Sequence, residues 1–249
     1  MFQARGLRKR YGAHAALDGV DLTVGEGETV VLLGPSGCGK STLLKSLIGL
    51  VVPDAGEVRF RDVPVDPHSA SALRRRMGYV VQGGGLFPHL NARANASIAA
   101  RHARWPADRV APRLQALLQL NRLPAEALDR YPSQLSGGQA QRVSLIRALM
   151  LDPEVLLLDE PLGALDPITR FELQRDLREA FSRLRKTVVM VTHDLGEAAF
   201  FGERLVLMRS GRIVQEGSFQ DLVSRPADDF VTRFVLAQRS PLAALGAGS

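Results

Sequence analysis

The clearest hydrophobic pattern near the start of the chain is a short apolar run, followed by a glycine-rich turn and an amphipathic segment. Residues 29–33 (Thr-Val-Val-Leu-Leu) form the run, which stops at Gly34. A continuous run of this length between turn residues is typical of a buried strand. After the glycines, apolar residues recur on one side of a segment that stops near Gly49: Leu43, Leu44, Leu47 and Ile48. The pattern predicts a strand, a loop and a helix, in that order.

Two further strands are predicted in the second half of the chain. Residues 155–158 form a continuous apolar run that ends at Asp159 and Glu160, and residues 187–192 form another, rich in β-branched side chains. Both runs have the length and composition of buried strands. Strands that alternate with helices predict an α/β fold with a parallel, doubly wound sheet that is covered on both faces.

A long helix is predicted between these two strands. Asp166 followed by Pro167 is typical of an N-cap and the first residue of a helix. Apolar residues then continue at helical spacing. They predict one buried face that consists of Ile168, Phe171, Leu177, Phe181 and Leu184.

The remaining segments have weaker patterns. From about residue 88 to residue 132 the strand-forming runs disappear, and alanine, arginine and leucine dominate. This composition predicts a mostly helical insert between the strands of the sheet. The first 30 residues and residues 56–66 have the pattern of short strands with turns, which predicts an antiparallel β edge. The last residues, 240–249, are expected to be frayed.

The composition excludes several classes of protein. Of 249 residues, 45% are hydrophobic and 23% are charged, which is ordinary for a globular protein and excludes a disordered, collagen-like or low-complexity chain. The net charge of +6 comes from arginine, since only four of the 32 cationic residues are lysines: Lys9, Lys40, Lys45 and Lys186. A basic balance permits a nucleic-acid or anionic membrane surface, but net charge constrains partners only loosely.

The cysteine count and the hydropathy profile predict a cytosolic, reduced protein. Cys38 is the single cysteine, which excludes an intrachain disulfide and a multi-cysteine metal site. The charged start of the chain is not followed by an apolar run, so no signal peptide is expected. No stretch approaches the roughly 18 apolar residues of a membrane span.

A phosphate-binding loop is predicted at the first glycine-rich turn. Residues 34–41 match the pattern G-x-x-x-x-G-K-[ST] and lie between a predicted strand and a predicted helix, as that pattern requires. The residues are Gly34, Pro35, Ser36, Gly37, Cys38, Gly39, Lys40 and Ser41. Backbone N–H groups and the helix N-terminus would bind phosphate oxygens, with Lys40 at the β- and γ-phosphates and the Ser41 hydroxyl on Mg²⁺. The sequence therefore predicts binding of a nucleoside triphosphate.

Two carboxylates follow the second buried strand. In an open α/β sheet, ligands bind beyond the carboxyl ends of the strands, which is where Asp159 and Glu160 lie. Asp159 is suited to hold Mg²⁺, directly or through water, and Glu160 to polarise an attacking water molecule.

A second glycine-rich turn opens a predicted helix that runs to about Met150. Residues 135–139 read Leu-Ser-Gly-Gly-Gln, and Val143, Ile146 and Leu149 follow on one face of the helix. Ser136 is predicted to be the N-cap, and the glycines leave backbone N–H groups accessible to an anion.

These residues resemble the nucleotide-binding subunits of ATP-binding-cassette (ABC) transporters. The order of the motifs matches throughout: the P-loop, Gln82, Leu-Ser-Gly-Gly-Gln at 135–139, Asp159-Glu160, Ala-Leu-Asp at 164–166 and Thr-His-Asp at 192–194. The resemblance covers roughly residues 1–235. It implies a P-loop NTPase fold of ABC type in a single domain over residues 1–240, with the helical subdomain at about 88–150 and a tail at 241–249.

The resemblance also implies roles for individual residues. Tyr11 would stack on the adenine of ATP, Glu160 would activate water, and His193 would contact the γ-phosphate. Gln82 would sense Mg²⁺ and the membrane partner, which makes it both a catalytic residue and a metal ligand beside Ser41 and Asp159. The implied nucleotide-binding set extends the P-loop by Thr42 and adds Ser136, Gly137, Gly138 and Gln139.

The function implied by the resemblance is ATP hydrolysis that powers a membrane importer. Two copies of the chain would sandwich two ATP molecules head to tail, with Ser136 and Gly138 of one copy facing Lys40 of the other. The subunit would lie on the cytoplasmic face of the inner membrane, against integral-membrane permease subunits. A periplasmic or extracellular substrate-binding protein would act with it indirectly.

Within the importers, four segments look most like the osmoprotectant subgroup, which moves glycine betaine, choline, carnitine or proline. They are residues 77–82, 85–90, 163–174 and 226–234. Two features depart from that subgroup: the chain is too short for regulatory domains of the cystathionine-β-synthase type, and residues 83–85 are three consecutive glycines. Amino acids, nitrate and sulfonates remain alternative substrates.

The rival interpretation from another class is a soluble ABC-type ATPase that acts on nucleic acid or ribosomes. Its support is the basic charge and the arginine triplet at 74–76. An arginine triplet is more often a solvated surface, and the resemblance is to members with a single short cassette. No specific nucleic-acid partner is therefore expected.

Overall fold

Two β-sheets form the framework of the chain. The computed structural model describes residues 1–163 and 165–238. Ala164 of the motif at 164–166 and the predicted tail at 241–249 lie outside the described residues. The strands are β1 (Phe2–Tyr11), β2 (His14–Val24), β3 (Thr29–Leu33), β4 (Ala55–Phe60), β5 (Val63–Pro64), β6 (Met77–Val80), β7 (Val155–Asp159), β8 (Thr187–Val191), β9 (Arg204–Arg209) and β10 (Arg212–Gly217).

The larger sheet has six strands in the order β10-β9-β3-β8-β7-β6. Strands β9, β3, β8, β7 and β6 run parallel, and β10 pairs with β9 in the antiparallel direction. The three strands predicted from the hydrophobic runs are β3, β7 and β8, which are adjacent at the centre of this sheet. The predicted α/β fold with a parallel sheet is therefore confirmed.

The smaller sheet is antiparallel, with the order β2-β1-β4-β5. It accounts for the strands predicted over the first 30 residues and residues 56–66. These strands form a sheet of their own beside the parallel sheet.

Helices cover the sheets and form the predicted insert. They are α1 (Lys40–Leu47), α2 (Ala70–Leu73), α3 (Ala92–His102), α4 (Ala107–Leu120), α5 (Gly137–Leu149), α6 (Pro167–Leu184), α7 (Leu195–Phe201), α8 (Phe219–Ser224) and α9 (Asp229–Ala237). A 3₁₀ turn at Arg74–Arg76 precedes β6. The predicted helical insert corresponds to α3 and α4, which contact each other and pack beside α5.

Alternate residues of the central strands point into two separate cores. In β3, Val31 and Leu33 belong to one hydrophobic cluster, whereas Val30 and Leu32 belong to the other. The first cluster also contains the buried side chains of α3 to α7, and the second contains α1 and the smaller sheet. Both faces of the sheet are covered, and its central strands β3, β7 and β8 are buried along their whole length, as expected for a doubly wound sheet.

The predicted apolar face of α6 is partly wrong. Asp166 is the N-cap and Pro167 the first helical residue, as predicted. However, Ile168 is 74% and Phe171 59% exposed. The buried face consists of Leu173, Asp176, Leu177, Ala180 and Phe181. At about 100° per residue, Ile168 and Phe171 lie on the side of the helix opposite to Leu173, so the first two turns present apolar residues to solvent.

A buried ion pair joins α6 to α5. Asp176 of α6 is 6% exposed, and its two carboxylate oxygens lie 2.6 Å from Arg142 of α5 and 2.7 Å from Arg122. A buried carboxylate with two arginine partners is compensated, and removal of the carboxylate would deprive Arg142, whose side chain is 13% exposed, of this partner. This contact fixes the helix that follows residues 135–139 against the core of the parallel sheet.

Candidate functional site

The predicted phosphate-binding loop connects β3 to α1, and two of its glycines are required by close contacts. Gly34 has φ 144° and Gly39 has φ 109°, both in the region that favours glycine. A Cβ atom on Gly34 would lie 2.2 Å from the carbonyl oxygen of Met208, and one on Gly39 would lie 2.1 Å from that of Ala16. Any larger residue would push the loop away from β9 or β2.

Lys40 lies inside the curve of this loop. It is the first residue of α1 and is only 5% exposed. Its Nζ atom donates hydrogen bonds to the carbonyl oxygens of Gly34 at 2.7 Å and Pro35 at 3.0 Å. The ammonium group is therefore held at the N-terminus of α1, where the helix dipole also favours an anion.

Asp159 at the end of β7 is linked to the start of α1. The Ser41 hydroxyl donates to Oδ1 of Asp159 at 2.7 Å. The Tyr79 hydroxyl lies 3.5 Å from Oδ2 of the same carboxylate. Burial and the negative charge of Asp159 raise the pKa of Tyr79, so its hydroxyl stays protonated as a donor. Sequence reasoning did not identify Tyr79, which lies on β6 beside β7.

The pair of Ser41 and Asp159 fits a magnesium ion. Mg²⁺ is bound through one or two protein oxygens together with substrate phosphates and water, rather than by a dedicated protein cage. A hydroxyl and a carboxylate 2.7 Å apart at the edge of the phosphate-binding loop supply such oxygens. Among residues 1–163 and 165–238, no group of three or more His, Cys, Asp and Glu side chains could hold a metal ion alone.

Glu160 directs its carboxylate toward the phosphate-binding loop from a strained backbone position. Its φ of 46° is left-handed, which is uncommon for a residue other than glycine and costs about 1 kcal/mol. Its backbone N–H donates to the carbonyl oxygen of Val191 at 3.0 Å, which anchors the turn to the end of β8. Strain of this kind persists where the surroundings determine it, and it is concentrated at functional sites.

Gln82 and His193 meet at this carboxylate. Nε2 of Gln82 donates to Oε2 of Glu160 at 3.0 Å, and Nδ1 of His193 lies 3.5 Å from Oε1. The three residues come from the ends of β6, β7 and β8, which are neighbours in the sheet. The structure thus brings together the three residues predicted to be catalytic, at the carboxyl ends of parallel strands, where ligands bind.

A pocket of about 350 Å³ lies between the phosphate-binding loop and the side chains of Gln82 and Glu160, and neither His193 nor Asp159 lines it. Six predicted residues of the loop and of α1 line it: Ser36, Gly37, Gly39, Lys40, Ser41 and Thr42. Gln82, Glu160 and Tyr11 complete the predicted part of the lining. Tyr11 is 53% exposed at the end of β1, so part of its ring is accessible to a ligand.

His14 and Ala16 also line this pocket and were not predicted. They begin β2, which pairs with β1 in a hairpin, and Tyr11 is the register partner of His14. The pattern of short strands with turns predicted antiparallel strands in this region. Nothing in the sequence indicates that the turn lies beside a loop more than 20 residues further along the chain.

Gly34, Pro35 and Cys38 also belong to the loop motif but do not line this pocket. Pro35 and Cys38 line an adjacent cavity together with Arg209 and Phe230. Cys38 is 4% exposed, and burial raises the pKa of its thiol. A protonated buried thiol is a small filler of the loop rather than a reactive group.

Alkylation of Cys38 is expected to be slow at pH 7 and to abolish nucleotide binding once it occurs. The rate should rise with pH, because the thiolate is the reactive form and its pKa is raised. The added group would crowd the loop next to Lys40, whose Nζ atom lies 3.8 Å from the sulfur. Mass spectrometry of iodoacetamide-treated protein, paired with an ATP-binding assay, measures both effects. A Cys38→Ala variant should resist the reagent, and full ATP affinity in the alkylated protein would contradict this geometry.

The segment Ser136–Gln139 forms the capped start of α5. Ser136 is the N-cap of α5, as predicted: its hydroxyl accepts from the backbone N–H of Gln139, and Oε1 of Gln139 accepts from that of Ser136. A Cβ on Gly138 would lie 2.5 Å from Cγ2 of Thr169, so α6 requires glycine there. None of the described residues in this segment lines the pocket around Lys40. A single chain therefore does not bring the two glycine motifs together.

The three glycines after Gln82 form a loop that is fastened to α5. Gly83, Gly84 and Gly85 have φ values of 71°, 77° and 54°, a run that only glycine adopts readily. The Ser144 hydroxyl donates to the carbonyl oxygen of Gly84 at 2.8 Å, and Arg147 donates to those of Gly84 and Gly85, both at 2.7 Å. The unusual glycine content therefore has a structural reason, since the carbonyl groups turn toward α5.

Comparison with known proteins identifies relatives of this chain. The profile of a family described as ABC transporter matches residues 17–163. The chain is 44% identical over 234 residues to the glycine betaine uptake system ATP-binding protein of Escherichia coli (strain K12), covering 94% of this chain and 76% of the relative. It is 40% identical over 240 residues to the choline transport ATP-binding protein of Bacillus subtilis (strain 168), covering 96% of this chain and 63% of the relative.

A third relative has a different stated cargo. It is the sulfate/thiosulfate import ATP-binding protein of Bradyrhizobium diazoefficiens, which is 45% identical over 237 residues, covering 94% of this chain and 68% of the relative. The chain thus spans slightly less than two thirds of the choline relative and somewhat more of the other two.

A solved structure with the same fold is a dimeric ATP-binding cassette in a post-hydrolysis state, bound to ADP and Pi. It is similar to this chain with a TM-score of 0.80 and 33% identity, covering 88% of this chain and 99% of that structure.

Proposed function

The chain belongs to the ABC transporter family, and we propose that it is the ATP-hydrolysing subunit of a membrane importer for small quaternary amines such as glycine betaine or choline. The observation that carries the ATPase proposal is the cluster of Lys40, Ser41, Asp159, Glu160 and Gln82 around one phosphate-binding loop. The substrate class rests on the relatives that are named for glycine betaine and choline transport.

In the proposed reaction, the role of each side chain follows from its position around the phosphate-binding loop. Lys40, buried at the helix N-terminus, neutralises phosphate charge. Glu160 orients an attacking water molecule and accepts its proton, and Gln82 and His193 hold that carboxylate and contact the terminal phosphate. Ser41, Asp159 and Gln82 would hold Mg²⁺, which supplies charge neutralisation at the phosphate oxygens.

We infer that two copies of the chain form the working unit. The glycine segment at 136–139 lies away from the pocket around Lys40, so its anion-binding N–H groups need a phosphate from elsewhere. A second copy placed head to tail would supply that phosphate, with Ser136 and Gly138 facing Lys40 of the other copy. The dimeric form of the similar ADP-bound cassette supports this arrangement.

The proposed partners are integral-membrane permease subunits, with the chain on the cytoplasmic face of the membrane. Among the described residues, no helix is long and apolar enough to cross a membrane. A substrate-binding protein outside the membrane would deliver the cargo to the permease. Closing of the dimer on ATP and reopening after hydrolysis would drive the permease between its two facing states.

A second cargo class is favoured by one specific observation. The relative named for sulfate and thiosulfate import is as similar to this chain as those named for quaternary amines. Cargo selection lies in the binding protein and the permease, so similarity of the ATPase subunit does not separate the two classes. The experiment must therefore offer both cargoes.

The nucleic-acid alternative loses part of its support in the structure. Arg76 of the triplet lies 2.5 Å from Glu154 and stacks over the ring of Phe60 at 5.0 Å. Nε of Arg74 donates to the carbonyl oxygen of Ala70. Two of the three arginines thus have structural contacts, and the triplet follows α2 as a single 3₁₀ turn.

The proposal is tested by purifying the tagged chain from native membranes in high salt and identifying the proteins that remain bound. A multi-span permease is the expected result. High salt removes partners held only by exposed charges, because such contacts are screened. Recovery of nucleic acid or ribosomes without any membrane protein would overturn the transporter proposal.

The cargo is then tested with the recovered complex in proteoliposomes. ATP-dependent uptake of radiolabelled glycine betaine or choline is expected, and sulfate should not accumulate. The same vesicles carrying a Lys40→Ala subunit measure uptake that does not depend on ATP. Uptake of sulfate alone would assign the second cargo class and reject quaternary amines.

A further inference from the structure

Gln238, at the end of α9, forms hydrogen bonds to the backbone on both sides of Asp194, the residue that follows His193. Nε2 of Gln238 donates to the carbonyl oxygen of His193 at 2.8 Å. Oε1 of the same amide accepts from the backbone N–H of Leu195 at 2.7 Å. One side chain, 45 residues away in sequence, thus forms two backbone hydrogen bonds across a single turn.

The backbone N–H of Thr192 donates to the carbonyl oxygen of Leu32 on β3 at 3.1 Å, and further hydrogen bonds of this turn come from within the turn and α7. The Thr192 hydroxyl accepts from the backbone N–H of Asp194 at 3.1 Å and donates to Glu197 at 2.7 Å. Oδ1 of Asp194 accepts from the backbone N–H of Glu197 at 2.9 Å, which caps α7. These bonds shape the start of α7, whereas Gln238 connects the turn to another helix.

The helix that carries Gln238 is firmly packed. Val231 is fully buried and Val235 is 5% exposed, and both belong to the hydrophobic core between the sheet and its helices. Phe230 and Phe234 pack against the same core. The amide of Gln238 therefore projects from a fixed support, one turn after Val235.

The side chain of His193 depends on this backbone for its position. It is 56% exposed, and its Nδ1 atom lies 3.5 Å from Oε1 of Glu160. A half-exposed imidazole has little packing to hold it, so its distance from the reacting phosphate follows from where the main chain lies. Displacements of about 1 Å in a catalytic group can cost about 100-fold in rate.

We propose that Gln238 is a positioning residue for ATP hydrolysis, which it serves by fixing the backbone of His193. This inference rests on the proposed function, because it assumes that His193 contacts the reacting phosphate. The amide supplies both a donor and an acceptor, which a carboxylate or an aliphatic side chain of the same length does not.

The first test compares steady-state ATPase kinetics of Gln238→Ala and Gln238→Glu with the unaltered chain. Both variants are expected to lower kcat about tenfold, with the KM for ATP changed less than about twofold, since the nucleotide pocket is untouched. Gln238→Glu is nearly isosteric, so it keeps the packing and turns an oxygen toward the His193 carbonyl. Arg233→Ala, at an exposed position of the same helix, should leave kcat unchanged. Unchanged kcat in both Gln238 variants would overturn the proposal.

The second test asks whether Gln238 acts through His193. In a double-mutant cycle, Gln238→Ala should cause no further loss of activity in a His193→Ala background, because residues that act together are not additive. A full tenfold further loss there would overturn the proposal and indicate a general effect on the fold.

A third measurement does not require ATPase activity. Hydrogen exchange of the Leu195 amide should be faster in Gln238→Ala than in the unaltered chain, because its acceptor is removed. If the unaltered chain does not hydrolyse ATP, the proposed function fails. The exchange result still tests whether Gln238 holds the backbone at Leu195. If the chain hydrolyses ATP and neither exchange nor kcat responds, the positioning role alone is wrong.

Discussion

Replacement of Glu160 by glutamine is expected to lower kcat for ATP hydrolysis about 1,000-fold, within the range of about 10²–10⁴ that a positioned general base contributes. The amide is isosteric and can still contact Gln82 and His193, but it does not accept a proton from water. ATP binding should persist, because the phosphate-binding loop and Lys40 are unchanged. The protein should therefore accumulate as an ATP-bound dimer, measured by size-exclusion chromatography with light scattering beside a phosphate-release assay.

A matched control for this variant is Glu172→Gln, which makes the same change of charge at an exposed position of α6. It should retain the kcat of the unaltered chain and should not trap a dimer. A monomer at saturating ATP in the Glu160→Gln protein would contradict the proposed head-to-tail dimer. Hydrolysis within about tenfold of the unaltered chain would instead contradict the role of Glu160, since a general base contributes more than that.

Asp159 and Glu160 illustrate which part of the site can be predicted from the sequence. The buried run at 155–158 predicts a strand, and the two carboxylates at its end are expected at the ligand-binding edge of the sheet. The motif G-x-x-x-x-G-K-[ST] has its own strand and helix, which predicts the second half of the same site. Local sequence patterns therefore suffice to predict a site residue when it lies at the end of a strand or helix.

Residues that reach the site from distant elements were not predictable in the same way. Tyr79, His14 and Gln238 make their contacts through side chains of β6, β2 and the end of α9. Their contacts depend on how sheets and helices pack, and no spacing rule relates residue 238 to residue 193. Such residues carry no motif, so only the three-dimensional arrangement identifies them.

The error on α6 has a related cause. Apolar spacing assigned Ile168 and Phe171 to the buried face, yet both are exposed and the helix buries Leu173 together with the correctly predicted Leu177 and Phe181. A surface can present isolated apolar residues at modest cost, so periodicity at the end of a helix is a weak guide to which side faces the core. The N-cap at Asp166 was correctly predicted because capping depends on a local hydrogen bond.

The glycine loop at 83–85 connects two parts of the site that are far apart in sequence. Gln82 contacts the carboxylate of Glu160 at one end of the loop. At the other end, Ser144 and Arg147 of α5 hold its carbonyl groups, and α5 begins at the glycine segment proposed to bind the second ATP. Burial lowers the pKa of Arg147, yet a guanidinium remains charged at neutral pH. A displacement of α5 would therefore be transmitted to Gln82 through hydrogen bonds rather than through side-chain packing alone.

Replacement of Lys40 by alanine is expected to raise the Kd for ATP about 100-fold, since hydrogen bonds to charged groups contribute about 1.5–3 kcal/mol each and the ammonium is predicted to contact two phosphates. The buried position of Lys40 adds to the effect, because its charge lies at a helix N-terminus screened from water. Isothermal titration with ATP measures the loss directly. The increase in melting temperature that saturating ATP gives the unaltered chain should also disappear, because ligand binding stabilises only the folded state.

Two further variants separate charge from geometry at this position. Lys40→Arg keeps the positive charge, but its planar guanidinium does not fit where Nζ now lies 2.7 Å from the carbonyl oxygen of Gly34, so ATP affinity should fall as well. Lys45→Ala removes a lysine from the same helix outside the pocket and should bind ATP normally. Because Lys40 also bonds to its own loop, the melting temperature without ATP must be compared across the three variants. Undiminished ATP affinity in a folded Lys40→Ala protein would show that the nucleotide phosphates do not lie in this loop, and the proposed ATPase site would fall with it.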